Sequence, residues 1–508
     1  MRLKDLCDRA GILCPASEGE REIRAIVTDS RRVTNECMYI CIKGFHFDGH
    51  RFAEEAAKKG AVCILAQTGE SVPALSGAVR LYTEDTRRAT ARLFDVWYGF
   101  PSRQLKIVGV TGTNGKTTVT HMLRHILESN LCRCGLIGTV GCDSVGRHLE
   151  GSTNPLANMT TPDPEDLYRM LAEMVQDGVE YVLMEVTSHA LALGKLDPIC
   201  FEAAIFTNLT PEHLDFHGTM DAYADAKAEL FEKSRLGVVN LDSPYAERML
   251  RKSTGRTVTC SSEGKDATYC ADSIEVSGNC GVFYRLSSKN SNLKIQCPVP
   301  GSFTVTNSMQ AAVCALELGF GAGQIKDALS SLSGVKGRME RVRLGLGANF
   351  TVLIDYAHTP DALENLLRTA HDMREKGQRL VVLFGCGGDR DRGKRPVMGS
   401  LASRYADFVI VTSDNSRGED PEEIIKEILS GMDPSRPHTV ICDRRAAIRH
   451  AILEAEEGDL ILLAGKGHEE YEITGEGKKP FFEKQIVADA FYERVRHGNK
   501  NDSTEGEG

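Results

Sequence analysis

Residues 105–130 read LKIVGVTGTNGKTTVTHMLRHILESN, and three signals follow one another inside that stretch. LKIVGV is a short apolar run of the kind that fills a sheet covered on both faces. TGTNGKTT is a glycine-rich turn, after which Val119, Met122, Leu123, Ile126 and Leu127 recur at the spacing of one helix side. Strand, glycine turn and helix start, in that order, make a phosphate cradle in which backbone N–H groups and the helix N-terminus face anionic oxygens. Within Gly112-Thr113-Asn114-Gly115-Lys116-Thr117-Thr118, Lys116 is placed to reach terminal phosphates and Thr117 to ligate magnesium. The competing reading, a structural glycine turn, is weak for Gly-Lys-Thr at a helix start behind a buried strand. One departure stands out: the pattern G-x-x-x-x-G-K-T asks for Gly where this chain has Val110.

Outward from this core, EYVLMEV, FEAAIFTNL and GVVNLD read as further strands with helices between them. From about 255 to 300 the chain turns strand-rich and polar, as an insertion or edge sheet would. After VKGRMERV, the strands TVLIDYAH, LVVLFGCG, FVIVTSDN, TVICD and LILLAGKG alternate with helices. That repetition predicts a mostly parallel sheet with ligands at the carboxyl ends of its strands. Upstream, IRAIVTDS, CMYICIKG, the helical FAEEAAKKGA and AVCILA form a small α/β unit. The chain is therefore expected to be α/β in three domains: 1–99 for a substrate, 100–336 around the phosphate loop, and 337–495 as a Rossmann-like domain. The tail 496–508 is expected to be disordered.

A length of 508 residues suits about three domains. With 41% hydrophobic residues the composition is that of a globular protein. Lys and Arg total 61 against 71 Asp and Glu, a formal charge of -10, so no global basic field exists to hold a nucleic-acid backbone. No apolar run nears the roughly 18 residues that span a bilayer. The start MRLKDLCDRAGILCP lacks a secretory h-region. A cytoplasmic protein with no membrane partner is expected. The 16 cysteines contain no C-x-x-C pair and read as reduced, mostly buried thiols.

Other residues carry possible chemistry. Glu185 ends the buried strand of YVLMEVTSHAL, where a carboxylate could face the phosphate loop and hold a metal; taken alone it is more often just solvated. TNLTPEHLDFHG puts His213, Asp215 and His217 in one loop, as metal ligands or as a local brace. In YADAKAELF, Lys227 shares an apolar helix face with Tyr223, Leu230 and Phe231. A buried cation is costly unless paired or modified, and the bland alternative is a lysine reaching out to water. In the third domain Asp355 and His358 end one strand. GCGGDRDRGKRPVM, SDNSRGEDPEE and AGKGHEEYE end others, and together these polar strand ends describe a ligand cleft.

These blocks, with TDSRRV, KGFHFDGHRFAEEAAKKGA, TTPDP, TNLTPEHLDFHGTMDAYADAKAELF and VKGRMERV, resemble the Mur ligases over essentially the whole chain. The likeness is to the type that adds the third peptide residue in peptidoglycan synthesis. The resemblance implies three α/β domains and ATP-dependent amide formation through an acyl phosphate. The implied substrates are UDP-N-acetylmuramoyl-L-alanyl-D-glutamate, meso-diaminopimelate and ATP, acted on by a monomer. It implies Ser30 near the UDP group, with Thr160, Thr161, Thr187 and Lys195 along the muramoyl-dipeptide path. Thr117 and Glu185 would bind one Mg²⁺, and Glu185, His213 and N6-carboxylated Lys227 a second. Lys116, Lys227, Glu185 and His213 are the implied catalytic set. Gly112, Thr113, Asn114, Gly115, Lys116, Thr117 and Thr118, completed by Asn307, Arg338, Asp355 and His358, would hold ATP. Arg390, Asp414, Asn415, Arg417, Gly465 and Glu469 would hold diaminopimelate, with Arg417 gripping its distal carboxylate. The chain departs from the pattern at Lys195, where many relatives carry Arg, at Thr304 for Asn, and at Ser416 for Pro. Alternatives are an L-lysine-adding ligase of the same type, folylpolyglutamate synthase, disfavoured by the first domain and the SDNSR block, and a nucleotide-binding scaffold without catalysis.

Overall fold

The computed structural model describes residues 1–44, 47–75, 77–149, 159–277, 281–289, 292–345, 347–375 and 377–502, with side chains described to Arg496. It divides into two compact units, Met1–Cys260 with Val313–Leu318, and Ser261–Ala312 with Gly319–Gly508. The expected domain 1–99 falls wholly in the first unit, while the expected domain 100–336 is divided, with 261–312 and 319–336 in the second.

In the first unit, Ala25–Val27, Cys37–Ile40, Ala61–Gln67 and Val79–Thr83 form a parallel sheet in chain order. The larger sheet runs Arg256–Ser261, Leu236–Asn240, Ala203–Phe206, Lys106–Thr111, Tyr181–Glu185 and Cys134–Gly138, all parallel. Two short antiparallel strands, Gly141–Ser144 and Arg147–His148, finish that edge. The quoted stretch supplies the middle strand. Its register pairs Val110 with Glu185 and Thr111 with Phe206, so the glycine turn, Glu185 and the segment after Phe206 leave the sheet at one edge. The helix Lys116–Ser129 buries Val119, Met122, Leu123, Ile126 and Leu127 completely. Each such side chain contributes about 1.5–3 kcal/mol. That apolar anchorage lets the helix begin at Gly115, which has no side chain to cap it, leaving its N-terminal end for a ligand.

In the second unit, Tyr269–Ser277, Gly281–Ser287 and Asn292–Cys297 are antiparallel, the strand-rich stretch the sequence announces. The remaining sheet runs Glu340–Arg341, Thr351–Asp355, Leu460–Ala464, Leu380–Phe384, Phe408–Val411 and His438–Val440, parallel except for the first strand. Leu363, Leu367, Met398 and Ile428 pack on one face and Ala447, Ile448, Ile452 and Val487 on the other. The helix Glu483–Asp502 continues beyond residue 496, where a disordered tail is expected; residues 503–508 lie outside the described residues. Among the described residues no helix is long and apolar enough to cross a membrane.

Candidate active site

The glycine turn is stapled to the neighbouring strand end. Thr113 N donates to Asn208 O at 3.0 Å and Asn114 N to Asn208 Oδ1 at 3.0 Å, while Thr207 Oγ1 donates to Asn114 O at 2.6 Å. Thr113 Oγ1 donates to Thr210 O at 3.1 Å. Gly112 has φ +147°, and a Cβ there would lie 1.9 Å from Thr207 Oγ1, so only glycine fits. Lys116 folds over the turn, its Nζ donating to Gly112 O at 2.9 Å and Thr113 O at 2.7 Å.

Glu185 is buried at the adjacent strand end, as the register requires. Its carboxylate accepts from Thr117 Oγ1 at 3.0 Å, Thr139 N at 2.9 Å and Thr139 Oγ1 at 2.9 Å. Gly138 passes so close that a Cβ would lie 2.4 Å from Glu185 Oε1. A buried carboxylate beside a threonine hydroxyl is a hard-oxygen donor pair that fits Mg²⁺. Thr161 Oγ1 donates to Glu185 O at 2.9 Å and accepts from Thr187 N at 3.1 Å; Thr160 Oγ1 lies 3.1 Å from Thr139 Oγ1. Thr187 also caps the helix Ser188–Ala192. The three expected path threonines therefore surround Glu185. Lys195 is nearly buried, its Nζ 2.7 Å from Asp163 Oδ1.

Lys227 is 2% exposed, which excludes a side chain reaching to water. Its Nζ donates to Gly112 O at 2.9 Å and lies 4.7 Å from the Tyr223 ring centre. Burial and the nearby Lys116 charge drive its pKa well below the ordinary lysine value. His213, in the left-handed region at φ +55°, starts the single-turn helix Leu214–His217, so the expected loop is partly helical. Its ring stands edge-on to those of His189 at 4.7 Å and Tyr223 at 6.2 Å. Burial lowers the His213 pKa; Glu212 opposes that shift while Lys227 and Lys116 add to it. A neutral imidazole there suits metal ligation. Sequence reasoning gives no role to His189, held down to about 4 by burial and by His213 and His217, or to Thr139. Asp48, His50 and Glu70 also converge, but both His50 nitrogens are committed, to Asp48 Oδ1 at 2.6 Å and Gln67 N at 3.0 Å, which makes that cluster a brace.

Ser30 opens the turn Ser30–Arg32 on the small sheet, its carbonyl accepting from Lys59 Nζ at 3.2 Å.

In the second unit, Asp355 ends its strand and accepts from Met339 N at 2.7 Å and Ala357 N at 2.8 Å. Burial raises its pKa against the pull of Arg338 and these N–H groups. Arg338 stacks 5.0 Å from the Tyr356 ring centre, and His358 Nδ1 lies 2.9 Å from Tyr356 O. Asn307 is buried on the helix Phe303–Glu317.

Gly465 follows the strand registered with Asp355, and a Cβ there would lie 2.6 Å from Asp414 Oδ2. Lys466, to which sequence reasoning assigns no role, organises this corner. Fully buried, it donates to Asn415 Oδ1 at 2.9 Å and Tyr471 O at 3.0 Å, and lies 3.5 Å from Asp414 Oδ1 and 3.9 Å from Glu469 Oε2. Asn415 Nδ2 donates to Glu469 Oε2 at 2.8 Å. Burial raises Asp414, but Lys466 and Arg444 outweigh it and hold the carboxyl below its ordinary value. Burial and Asp414 push Glu469 up. Arg417, at φ +52°, donates through Nη1 to Gly388 O at 2.9 Å and Asn415 O at 3.2 Å. The next helix, Pro421–Leu429, is capped by Asp420, so Arg417 is not its cap. Arg390 is exposed; a Cβ on Gly387 would meet Arg417 Nη1 at 2.8 Å and Arg390 Cγ at 4.0 Å, so the two arginines flank one glycine.

Three family models match the chain: the Mur ligase family catalytic domain at 22–96, the Mur ligase middle domain at 110–315, and the Mur ligase glutamate ligase domain at 337–467. The UDP-N-acetylmuramoyl-L-alanyl-D-glutamate--2,6-diaminopimelate ligase of Syntrophomonas wolfei is 40% identical over 505 residues, 98% of this chain and 100% of that protein. The Clostridioides difficile protein of the same name is 40% identical over 491 residues, 96% and 99% of the two chains. A solved structure bearing that name superposes with a TM-score of 0.69 at 30% identity, covering 97% of this chain and 99% of the other.

Proposed function

The chain belongs to the Mur ligase family, and from that premise we propose that it is an ATP-dependent ligase joining meso-2,6-diaminopimelate to UDP-N-acetylmuramoyl-L-alanyl-D-glutamate in peptidoglycan precursor synthesis. The observation that carries this is the gathering of Lys116, Thr117, Glu185 and Lys227 around one glycine turn at one edge of the sheet. The protein acts as a monomer in the cytoplasm, where ATP and the UDP-linked substrate meet.

The glycine turn receives the ATP phosphates, and the free D-glutamyl carboxylate attacks the γ-phosphorus as the bond to ADP breaks. The amine of diaminopimelate then attacks the acyl phosphate, and phosphate leaves from the tetrahedral intermediate. Lys116 exchanges its two turn carbonyls for phosphate oxygens and steadies the charge on the transferring group. Thr117 with Glu185, and Glu185 with His213 and a carboxylated Lys227, would hold two magnesium ions, whose chemistry is to neutralise that charge. Carboxylation joins CO₂ to a neutral Lys227 amine with loss of a proton, turning the repulsion from Lys116 into attraction. Asn307, Arg338, Asp355 and His358 complete the ATP site. Ser30 serves the UDP end, and Thr160, Thr161, Thr187 and Lys195 the dipeptide path.

Arg417, Arg390, Asp414, Asn415, Gly465 and Glu469 take diaminopimelate. Arg417 hydrogen-bonds to carbonyl oxygens and has Glu469 nearby, and it is the cation for the distal carboxylate that L-lysine lacks. ADP release from purified enzyme, with the UDP-muramoyl-dipeptide and a panel of amino acids, tests the reading. Release that depends on the dipeptide and is fastest with meso-diaminopimelate is the expected result.

A further inference from the structure

The C-terminal sheet carries Asp355, Asp414 and Gly465 where its strands end. At the opposite edge, where Leu380–Phe384 and Phe408–Val411 begin, lies a groove of about 500 Å³ whose charged lining is Arg368, His371, Arg374, Arg404 and Arg436 with the carboxylates of Asp372 and Asp407. Arg368 and His371 are three apart on the helix Pro360–Met373 and so share a face. Arg404 comes from the last turn of the helix Lys394–Tyr405, and Arg436 from the loop before His438–Val440.

Structural duty accounts for part of this set. Arg374 Nη1 donates to Asp407 Oδ2 at 2.5 Å, and that oxygen also accepts from Leu380 N at 2.8 Å, fixing the strand start. Helix C-termini favour cations, which accounts for Arg404 and His371 but not for an arginine arriving from a loop. Other arginines of this unit sit against carboxylates, Arg379 with Asp459, Arg395 with Glu419 and Glu427, Arg444 with Glu483 and Arg449 with Glu493, or against backbone carbonyls, as Arg417 and Arg494 do. Arg368, Arg404 and Arg436 make no side-chain hydrogen bond or ion pair among the described residues. Arg436 lies near enough to Asp433 to help lower its pKa, but no ion pair forms between them, and Asp433 Oδ1 accepts from Ser435 N at 3.0 Å and Ser435 Oγ at 2.7 Å.

Three exposed arginines without an ion pair, with Arg374 and His371, outnumber Asp372 and Asp407 in this groove, an excess of cations in a chain of net charge -10. Their planar forks suit the tetrahedral oxygens of phosphate, and their number suits more than one negative charge. We propose that this groove is a second anion site, separate from the catalytic cleft, which takes a phosphate or diphosphate group from a soluble phosphorylated molecule or an anionic lipid headgroup.

The test uses the full chain saturated with ADP, so that the glycine turn is filled. Inorganic diphosphate is titrated by calorimetry, and sedimentation is measured with phosphatidylcholine vesicles with and without phosphatidylglycerol. The triple variant Arg368→Ala, Arg404→Ala, Arg436→Ala should bind at least about tenfold more weakly, with ligase kcat/KM unchanged. Arg449→Ala should bind like the parent. Loss in the diphosphate arm identifies a soluble source, and loss in the vesicle arm alone a lipid source. If the triple variant is unstable, Arg404→Glu replaces it with the same expectation. The proposal is overturned if the parent binds neither ligand, or if the variant binds as the parent does.

Discussion

Lys227 and Lys116 share one acceptor: the side-chain nitrogen of each lies 2.9 Å from the carbonyl oxygen of Gly112. Burial first, and then the neighbouring Lys116 charge, lower the Lys227 pKa well below the ordinary lysine value, which favours the neutral amine form that captures CO₂. With ¹³C-bicarbonate, a carbamate carbon signal is expected in the wild type and not in Lys227→Ala. The variant should lose about 10²–10³-fold in kcat and regain part of it with a small added carboxylate, because what it lacks is an anion. An ammonium at Lys227 in the magnesium-loaded enzyme would refute this.

Lys116→Ala removes the cation that meets the transferring phosphoryl group. Phosphate release should fall about 10²–10³-fold in kcat, with the fold intact because the ammonium's hydrogen bonds to Gly112 O and Thr113 O lie within its own turn. Near-normal turnover would sink the assigned ATP site.

Gly138→Ala tests Glu185 without touching its chemistry. The added methyl meets Oε1 at 2.4 Å and must displace the carboxylate from Thr117 and Thr139. Activity should fall at least tenfold and the magnesium requirement should rise, at a stability cost of about 1–3 kcal/mol. Unchanged magnesium dependence would show that Glu185 holds no ion.

Arg417→Ala should erase the preference for meso-diaminopimelate over L-lysine. The guanidinium pairing is worth about 2–5 kcal/mol, so the ratio of kcat/KM values should shift by roughly 30-fold or more. Equal ratios in variant and parent would place the discrimination elsewhere.

Glu419 ties the Asp389 turn to Arg395. Its hydrogen bonds to the Arg395 guanidinium and to Asp389 N lower its pKa from 4.5 to about 2. A carboxyl depressed on folding stabilises above its unfolded value, and that stability is lost as pH falls from about 4.5 toward 2. The melting temperature of the wild type should therefore approach that of Glu419→Gln between pH 5 and 3. A constant gap would show that Glu419 titrates normally.

The fold was legible wherever period and burial coincide. The helix after the glycine turn, the strand ends and the buried face of Lys227 follow from spacing alone. Thr139 and Lys466 were not legible, because their importance arises from register: one strand's end must be known before its neighbours across the sheet can be. The resemblance singles out Thr161 and Thr187, yet the hydrogen bonds of Thr161 to Glu185 O and to Thr187 depend on tertiary closure. The arrangement of compact units also escaped, since composition changes near 255 and 336 do not say which core the 261–312 strands join.

Arg417 holds the left-handed backbone region, which a side-chain-bearing residue enters only under constraint. Its carbonyl contacts and the Ile473 O partner of its N–H impose that conformation. The constraint narrows the mutational routes by which this enzyme's descendants could change their amino acid. A single codon change to a β-branched residue would both lose the charge and strain the chain, whereas glycine or asparagine would relax the backbone first. On the role proposed for Arg417, drift toward another cell-wall chemistry would pass through intermediates with a looser loop and poorer discrimination, so that selection on wall composition would defend a backbone angle along with a side chain.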